Sequence, residues 1–202
     1  MSIYKTLILL LVMTTCDLTA ADDPATAVYR DICSACHLDT GFGNPSLKVP
    51  SIAGLPRWYV TDQLRKFRFG ERGEHSEDTS GQLMRQNTKL LDDRVIAYLG
   101  RFVSKLKPKI KVASLKATDL EKGKVIFNKH CAECHKADGS GDKSERVPPL
   151  NLQPDWYLLE QLVKFEKQQR LHSAKFRMNS WGKEAKDIAA YIATLKAVEE
   201  KE

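Results

Sequence analysis

Ten residues constrain this chain most: Cys33-Ser34-Ala35-Cys36-His37 and, 98 positions later, Cys131-Ala132-Glu133-Cys134-His135. Around them the sequence repeats itself. Gly41 and Gly43 fall on Gly139 and Gly141, Val49-Pro50 on Val147-Pro148, Pro56 on Pro154, and Trp58-Tyr59 on Trp156-Tyr157. Gln63-Leu64 and Lys66-Phe67 then meet Gln161-Leu162 and Lys164-Phe165. A register held over more than thirty positions marks a duplicated folding unit, and it fixes the architecture before any single helix is assigned. Farther on, Met84 pairs with Met178 at an offset of 94 and Tyr98 with Tyr191 at 93, so the second copy is shortened in a loop.

A length of 202 residues accommodates two such units. Each reads as helical. Val60, Leu64 and Phe67 recur at helical spacing after the first Pro, as do Leu158, Leu162 and Phe165 after the second. Val95, Leu99 and Phe102, and Ile188, Ile192 and Leu195, give each half a final amphipathic helix. Thr118 and Glu121 have capping-box spacing ahead of Val125, Ile126 and Phe127. No sustained alternation of branched residues argues for a core strand; the alternating lysines near Pro108 belong to a connector. The expected fold is all-α, twice over.

The apolar run Thr6–Met13 is far shorter than the roughly 20 residues of a membrane-spanning helix. It reads as the middle of a secretory leader, residues 1–21, ending at small residues before Asp22, so the expected location is the periplasm. Cys16 leaves an alternative open, since an acylated cysteine would hold the chain at a membrane surface, although Thr15 stands where a lipidation motif has Gly, Ala or Ser. The mature chain then divides into a first domain, residues 22–104, a connector, residues 105–116, and a second domain, residues 117–202. The net charge of +6 comes almost entirely from the connector, whose Lys105, Lys107, Lys109, Lys111 and Lys116 face no acid within it. Such a segment reads as a solvated linker held extended by self-repulsion, or as a docking strip for an acidic partner or anionic lipid. Nothing in this charge pattern calls for nucleic acid.

Apart from Cys16, every cysteine lies in a C-x-x-C-H motif, the attachment signature of c-type haem. Two thiols one helical turn apart reach both vinyl groups of one porphyrin, and the adjacent His lies beneath the iron. Cys33, Cys36, Cys131 and Cys134 are therefore the candidate thioether residues of two covalently bound haem c groups, and His37 and His135 the proximal ligands. A thioredoxin-type dithiol needs a βαβ setting that is lacking, and a four-Cys zinc site leaves both histidines and the duplication unexplained. With Met1 and Met13 lost in the leader, Met84 and Met178 remain, one per half in matching places, as candidate sixth ligands. His75 and His172 are rivals that do not repeat in register, and they read as surface residues, as does His130.

With this set of features the chain resembles the class I cytochromes c, and in its doubled form the cytochrome c4 family. The resemblance spans nearly all of the mature chain. It implies two haem-wrapping domains packed with their haem edges toward each other, and backbone carbonyls of Pro50 and Pro148 holding the second ring nitrogen of His37 and His135. Trp58 and Trp156 read as core aromatics or haem-edge contacts. The implied function is a carrier, not an enzyme, moving electrons from a quinol-oxidising or substrate-oxidising complex to a terminal oxidase or reductase. A dihaem oxidoreductase of the thiosulfate dehydrogenase or peroxidase type, and a fixed subunit of a larger complex, are the alternatives.

Overall fold

The computed structural model describes residues 24–108, 114–172 and 181–195. The leader with Cys16, the connector's Lys109 and Lys111, and Met178 lie outside the described residues. Among those described, the regular structure is helical, apart from two isolated bridges, Asn44 with Val49 and Asp142 with Val147. No helix there is long and apolar enough to cross a membrane.

The first half begins with α1 (Pro24–Val28), which passes through a π-helical turn (Tyr29–Cys33) into α2 (Ser34–His37). It continues with α3 (Arg57–Phe69), α4 (Thr79–Thr88) and α5 (Asp93–Lys105). The second half repeats the plan with α6 (Leu120–His130), α7 (Ala132–His135), α8 (Asp155–Glu166) and α9 (Glu184–Thr194). In the first half α1 and α3 pack on α5; in the second, α6 and α8 pack on α9. Segregated apolar stripes produce these layers, and each half closes over its own core. Tyr29, Leu55, Val60, Ile96, Leu99 and Val103 form one, and Phe127, Leu158, Ile188, Ala189 and Ile192 the other.

Two expectations shift by one residue. The buried face of α5 centres on Ile96, Leu99 and Val103, with Val95 and Phe102 packed at its margins. The N-cap of α6 is Asp119, whose carboxylate accepts from Lys122 N at 2.9 Å, and not Thr118. The amides of Thr118 and Asp119 instead donate to Asp187 of α9, at 2.6 and 3.1 Å, and this anchor sets where the helix begins. Next to it α6 and α9 approach so closely that a Cβ on Gly123 would lie 2.2 Å from Asp187 O.

The connector is fastened at both ends. Helix α5 runs through Lys105, Leu106 packs against the first core, and Pro108 lies over Gly54. At the far end the carboxylate of Asp155, on the first turn of α8, accepts from Ser114 N, Ser114 Oγ and Leu115 N, each at 2.6 Å. The described ends of the connector are therefore docked, one on each half.

The two halves meet through a set of hydrogen bonds that exchanges partners across the interface. Arg72 donates to Tyr157 Oη at 2.8 Å and Gln161 Oε1 at 3.3 Å in the other half, and to Gln63 Oε1 at 2.8 Å in its own. Arg170 answers with Tyr59 Oη at 3.2 Å, Gln63 Oε1 at 3.1 Å and Gln161 Oε1 at 2.6 Å. All three residue pairs obey the 98-residue repeat, so the interface has a local two-fold symmetry.

Asp155 carries a pH dependence. Burial pushes its carboxyl up, but the donated hydrogen bonds from Leu115 and Ser114 outweigh burial and hold it below the ordinary 3.8. Its stabilising contribution is complete above that value and is lost as pH falls through the depressed folded value. Asp155→Asn should cost about 1–2 kcal/mol at neutral pH and flatten the acid limb of a stability-against-pH curve measured by chemical denaturation.

Candidate haem-binding sites

Each C-x-x-C-H motif occupies the last turn before a sharp reversal. Leu38 (φ 62°) and Lys136 (φ 63°) turn the chain out of the helix, and Gly41 (71°), Gly43 (75°), Gly139 (70°) and Gly141 (74°) carry it round. Gly43 N donates to His37 O at 3.1 Å, and Gly141 N to His135 O at 3.0 Å. The returning segment then lies against these glycines. A Cβ on Gly43 would stand 2.3 Å from Val49 O, and one on Gly141 2.4 Å from Val147 O, so a side chain fits at neither position.

This close approach delivers the carbonyls of Pro50 and Pro148. His37 Nδ1 donates to Pro50 O at 3.1 Å, and His135 Nδ1 to Pro148 O at 2.9 Å, which leaves Nε2 of each ring with its lone pair. Burial lowers the pKa of both imidazoles, opposed by the proline contact, so each is the neutral species that binds a metal. Burial also pushes the Cys33 and Cys131 thiols up to about 11, with Cys134 adding to the effect on Cys131. Neither is a ready thiolate, which counts against a redox dithiol. Among the described residues no three His, Cys, Asp or Glu side chains gather as a metal cluster.

The first motif faces a cavity whose lining includes Cys33, Cys36, His37, Pro50 and Met84. Met84 comes from α4, in the middle of the helix, and is half-buried. From the other half, Gln153, Tyr157 and Glu160 complete the wall, so the cavity opens at the interface. The residues present suit a haem: two thiols, a neutral imidazole with a free nitrogen, a thioether and an apolar lining. Arg72, also in the lining, has a buried Nε without a hydrogen-bond partner, a donor suited to an acidic side chain of the porphyrin.

The remaining candidates separate. His75 is exposed and only caps its own turn, where Glu77 N donates to its Nδ1 at 3.2 Å. His172 is exposed, as expected. Its ring stands 6.1 Å from that of His135 and 5.0 Å from that of Phe165, centroid to centroid, and desolvation, then His135 and Arg170, push its pKa down to about 4. His130 is half-buried, its ring edge-on to Trp181 at 5.1 Å. Trp58 is half-buried beneath Arg146 at 5.2 Å, with a buried Nε1 lacking a partner; it does not line the first cavity.

Sequence reasoning missed the interface. Arg72 and Arg170 continue the 98-residue register past Phe67 and Phe165, a signal that was there to be read. Burial opposes, but Arg72 and Arg170 outweigh it and lower the pKa of the Tyr157 hydroxyl. Sequence reasoning also missed a cluster in which Lys164 Nζ lies 2.7 Å from Asp78 Oδ1 of the other half and 2.6 Å from Ser80 Oγ, and meets Glu160. Burial raises the Asp78 carboxyl, yet the Lys164 and Gly81 hydrogen bonds bring it below its ordinary value.

Duplicated fold and paired Cys/His sites together define a class I c-type cytochrome that binds haem c covalently, with two haems expected. Residues 120–196 match the Cytochrome c family. The chain is 29% identical over 188 residues to cytochrome c-552 of Acidithiobacillus ferridurans, covering 87% of this chain and 79% of that one. It is also 29% identical over 181 residues to the thiosulfate dehydrogenase electron acceptor of Thiomonas intermedia strain K12, covering 80% and 77%. Among solved structures, the cytochrome c4 of Acidithiobacillus ferrooxidans superposes with a TM-score of 0.69 at 28% identity, over 82% of this chain and 99% of that one. Over most of its length the chain is similar to cytochromes c4, and it is a cytochrome c4-like electron-transfer protein.

The glycine turn makes a direct prediction. Gly141→Ala, at a φ of 74° and 2.4 Å from a backbone oxygen, should lower stability by at least about 2 kcal/mol, measured as a fall in the denaturation midpoint of the holoprotein.

Proposed function

We propose that this protein is a periplasmic dihaem electron carrier, with residues 22–104 and 117–202 each holding one haem. Met84 and Met178 would close the sixth positions opposite His37 and His135. The observation that carries this reading is the first cavity, which has both an imidazole with a free Nε2 and a thioether on its walls, so that His37 and Met84 of one half would both be available to hold the iron. For the second site, support comes from the sequence repeat that pairs Met178 with Met84. When bound, haem supplies a one-electron iron couple; an iron with both axial positions filled exchanges electrons and leaves no slot for a reactant.

The chain's own groups set the conditions for that exchange. Pro50 and Pro148 hold the imidazoles in one tautomer and orientation, which raises their basicity as ligands. Apolar walls exclude water and limit reorganisation when charge changes. Tyr157, Gln153 and Glu160 bring the second half to the wall of the first cavity, where an electron would pass from one half to the other. The donor would be a quinol-oxidising or substrate-oxidising complex and the acceptor a terminal oxidase or reductase. The relative named as the electron acceptor of a thiosulfate dehydrogenase favours a sulfur-compound oxidase among the donors.

Met84→Ala should remove about half of the weak long-wavelength sulfur-to-iron charge-transfer absorbance of the oxidised protein, since one of two such centres is lost. The unmodified reduced protein should not bind carbon monoxide. An unchanged band in Met84→Ala overturns the ligand assignment, and carbon monoxide binding to the parent overturns the carrier reading.

A further inference from the structure

Helix α4, which presents Met84 to the first cavity, is fastened at its N-terminus by the second half of the molecule. Asp78 caps the helix, accepting from Gly81 N at 2.9 Å, and is 1% exposed. A carboxylate so buried requires a counter-charge, and Lys164 of α8 supplies it at 2.7 Å. The ammonium of Lys164 also donates to Ser80 Oγ at 2.6 Å and meets Glu160, while Ser80 Oγ donates to Glu160 Oε1 at 3.0 Å. Ser80 of α4's first turn thus closes a ring of donors and acceptors with Glu160 and Lys164 of α8, and the N-cap Asp78 is joined to that ring through Lys164. Ser80 is one helical turn before Met84, and both line the cavity, so a displacement of that first turn is a displacement of the thioether.

The repeat makes the arrangement one-sided. Lys66 is the counterpart of Lys164, yet it pairs with Asp62 of its own helix at 3.1 Å and its side chain is 40% exposed, against 11% for Lys164. The sequence explains the difference, because the second half contains no Asp or Glu from Lys167 to Lys183 and so offers Lys66 no equivalent of Asp78. We propose that Lys164 is a positioning residue for the first haem: by clamping Asp78 and Ser80 from the opposite half, it holds Met84 in place as sixth ligand. The first centre's ligation then depends on docking of the second half through this contact.

The inference rests on Met84 being a ligand, and the experiment separates the two claims. Holoprotein variants Met84→Ala, Lys164→Met, Lys164→Arg, Asp78→Asn and Lys66→Met are compared for the long-wavelength band, for the resolved reduction potential of each haem, and for binding of imidazole as a probe of an opening iron site. Lys164→Met is expected to weaken the first haem's share of the band and to bind imidazole at that haem about tenfold more tightly, as when the ligand-free state is ten times more populated. Lys164→Arg should restore both readings, and Lys66→Met should match the parent. Asp78→Asn keeps an acceptor for Gly81 N, and so serves if Lys164→Met does not accumulate. It also distinguishes ligand loosening from simple charge, because removing a negative charge raises the first haem's potential, whereas a loosened thioether lowers it. A fall supports the proposal. If Met84→Ala leaves the band unchanged, the ligand assignment fails. If Met84→Ala halves it while Lys164→Met or Asp78→Asn leaves the band and imidazole affinity at parental values, or Asp78→Asn raises the potential, the positioning role alone is overturned.

Discussion

The hydrogen bond from each buried imidazole to a proline carbonyl is the constraint around which both halves are arranged. A neutral ring taken out of water needs a partner for its second nitrogen, and a carbonyl from a distant segment can be supplied only if the chain turns back sharply after the motif. That requirement accounts for the left-handed backbone at Leu38 and Lys136 and for two glycines that admit no side chain. The helices then have to cover what the turn exposes. Aromatic and aliphatic stripes on α3 and α5, and on α8 and α9, close over the site because each is apolar on one face only.

The interface between halves is polar where the cores are apolar. Guanidinium, phenol and amide groups alternate across it, and Arg146 adds a longer contact to Asp62 at 3.5 Å. Buried polar networks fix orientation through geometry rather than area, so the relative placement of the two centres is set by matched donors and acceptors. The Asp78 and Lys164 pair departs from this symmetry, and it is where the two copies have become different in chemistry.

Much of the molecule was legible because the motif is local. Two cysteines and a histidine within five residues declare the cofactor without reference to the rest of the fold, and the duplication then places the prolines, the aromatics and the helices. The sequence pattern places the α5 stripe one residue off centre because Val95 and Phe102 are as apolar as Ile96 and Val103, and only packing against α1 and α3 decides which face inward. Helix α6 starts later than its Thr118 suggested because a carboxylate 69 residues away claims that amide. Lys66 and Lys164 are the same residue at the same place in the repeat; their different partners arise from which acids the opposite half happens to offer.

The exchanged arginines have a consequence for how such a molecule can change over time. Because Arg72 depends on Tyr157 and Gln161 while Arg170 depends on Tyr59 and Gln63, a substitution in one copy is felt by its sibling before any outside protein meets it. The two copies are consequently bound to a shared history: a chimera built from halves of different ancestors would inherit mismatched hands at the seam, and drift in either copy would be tolerated only where the other answers it.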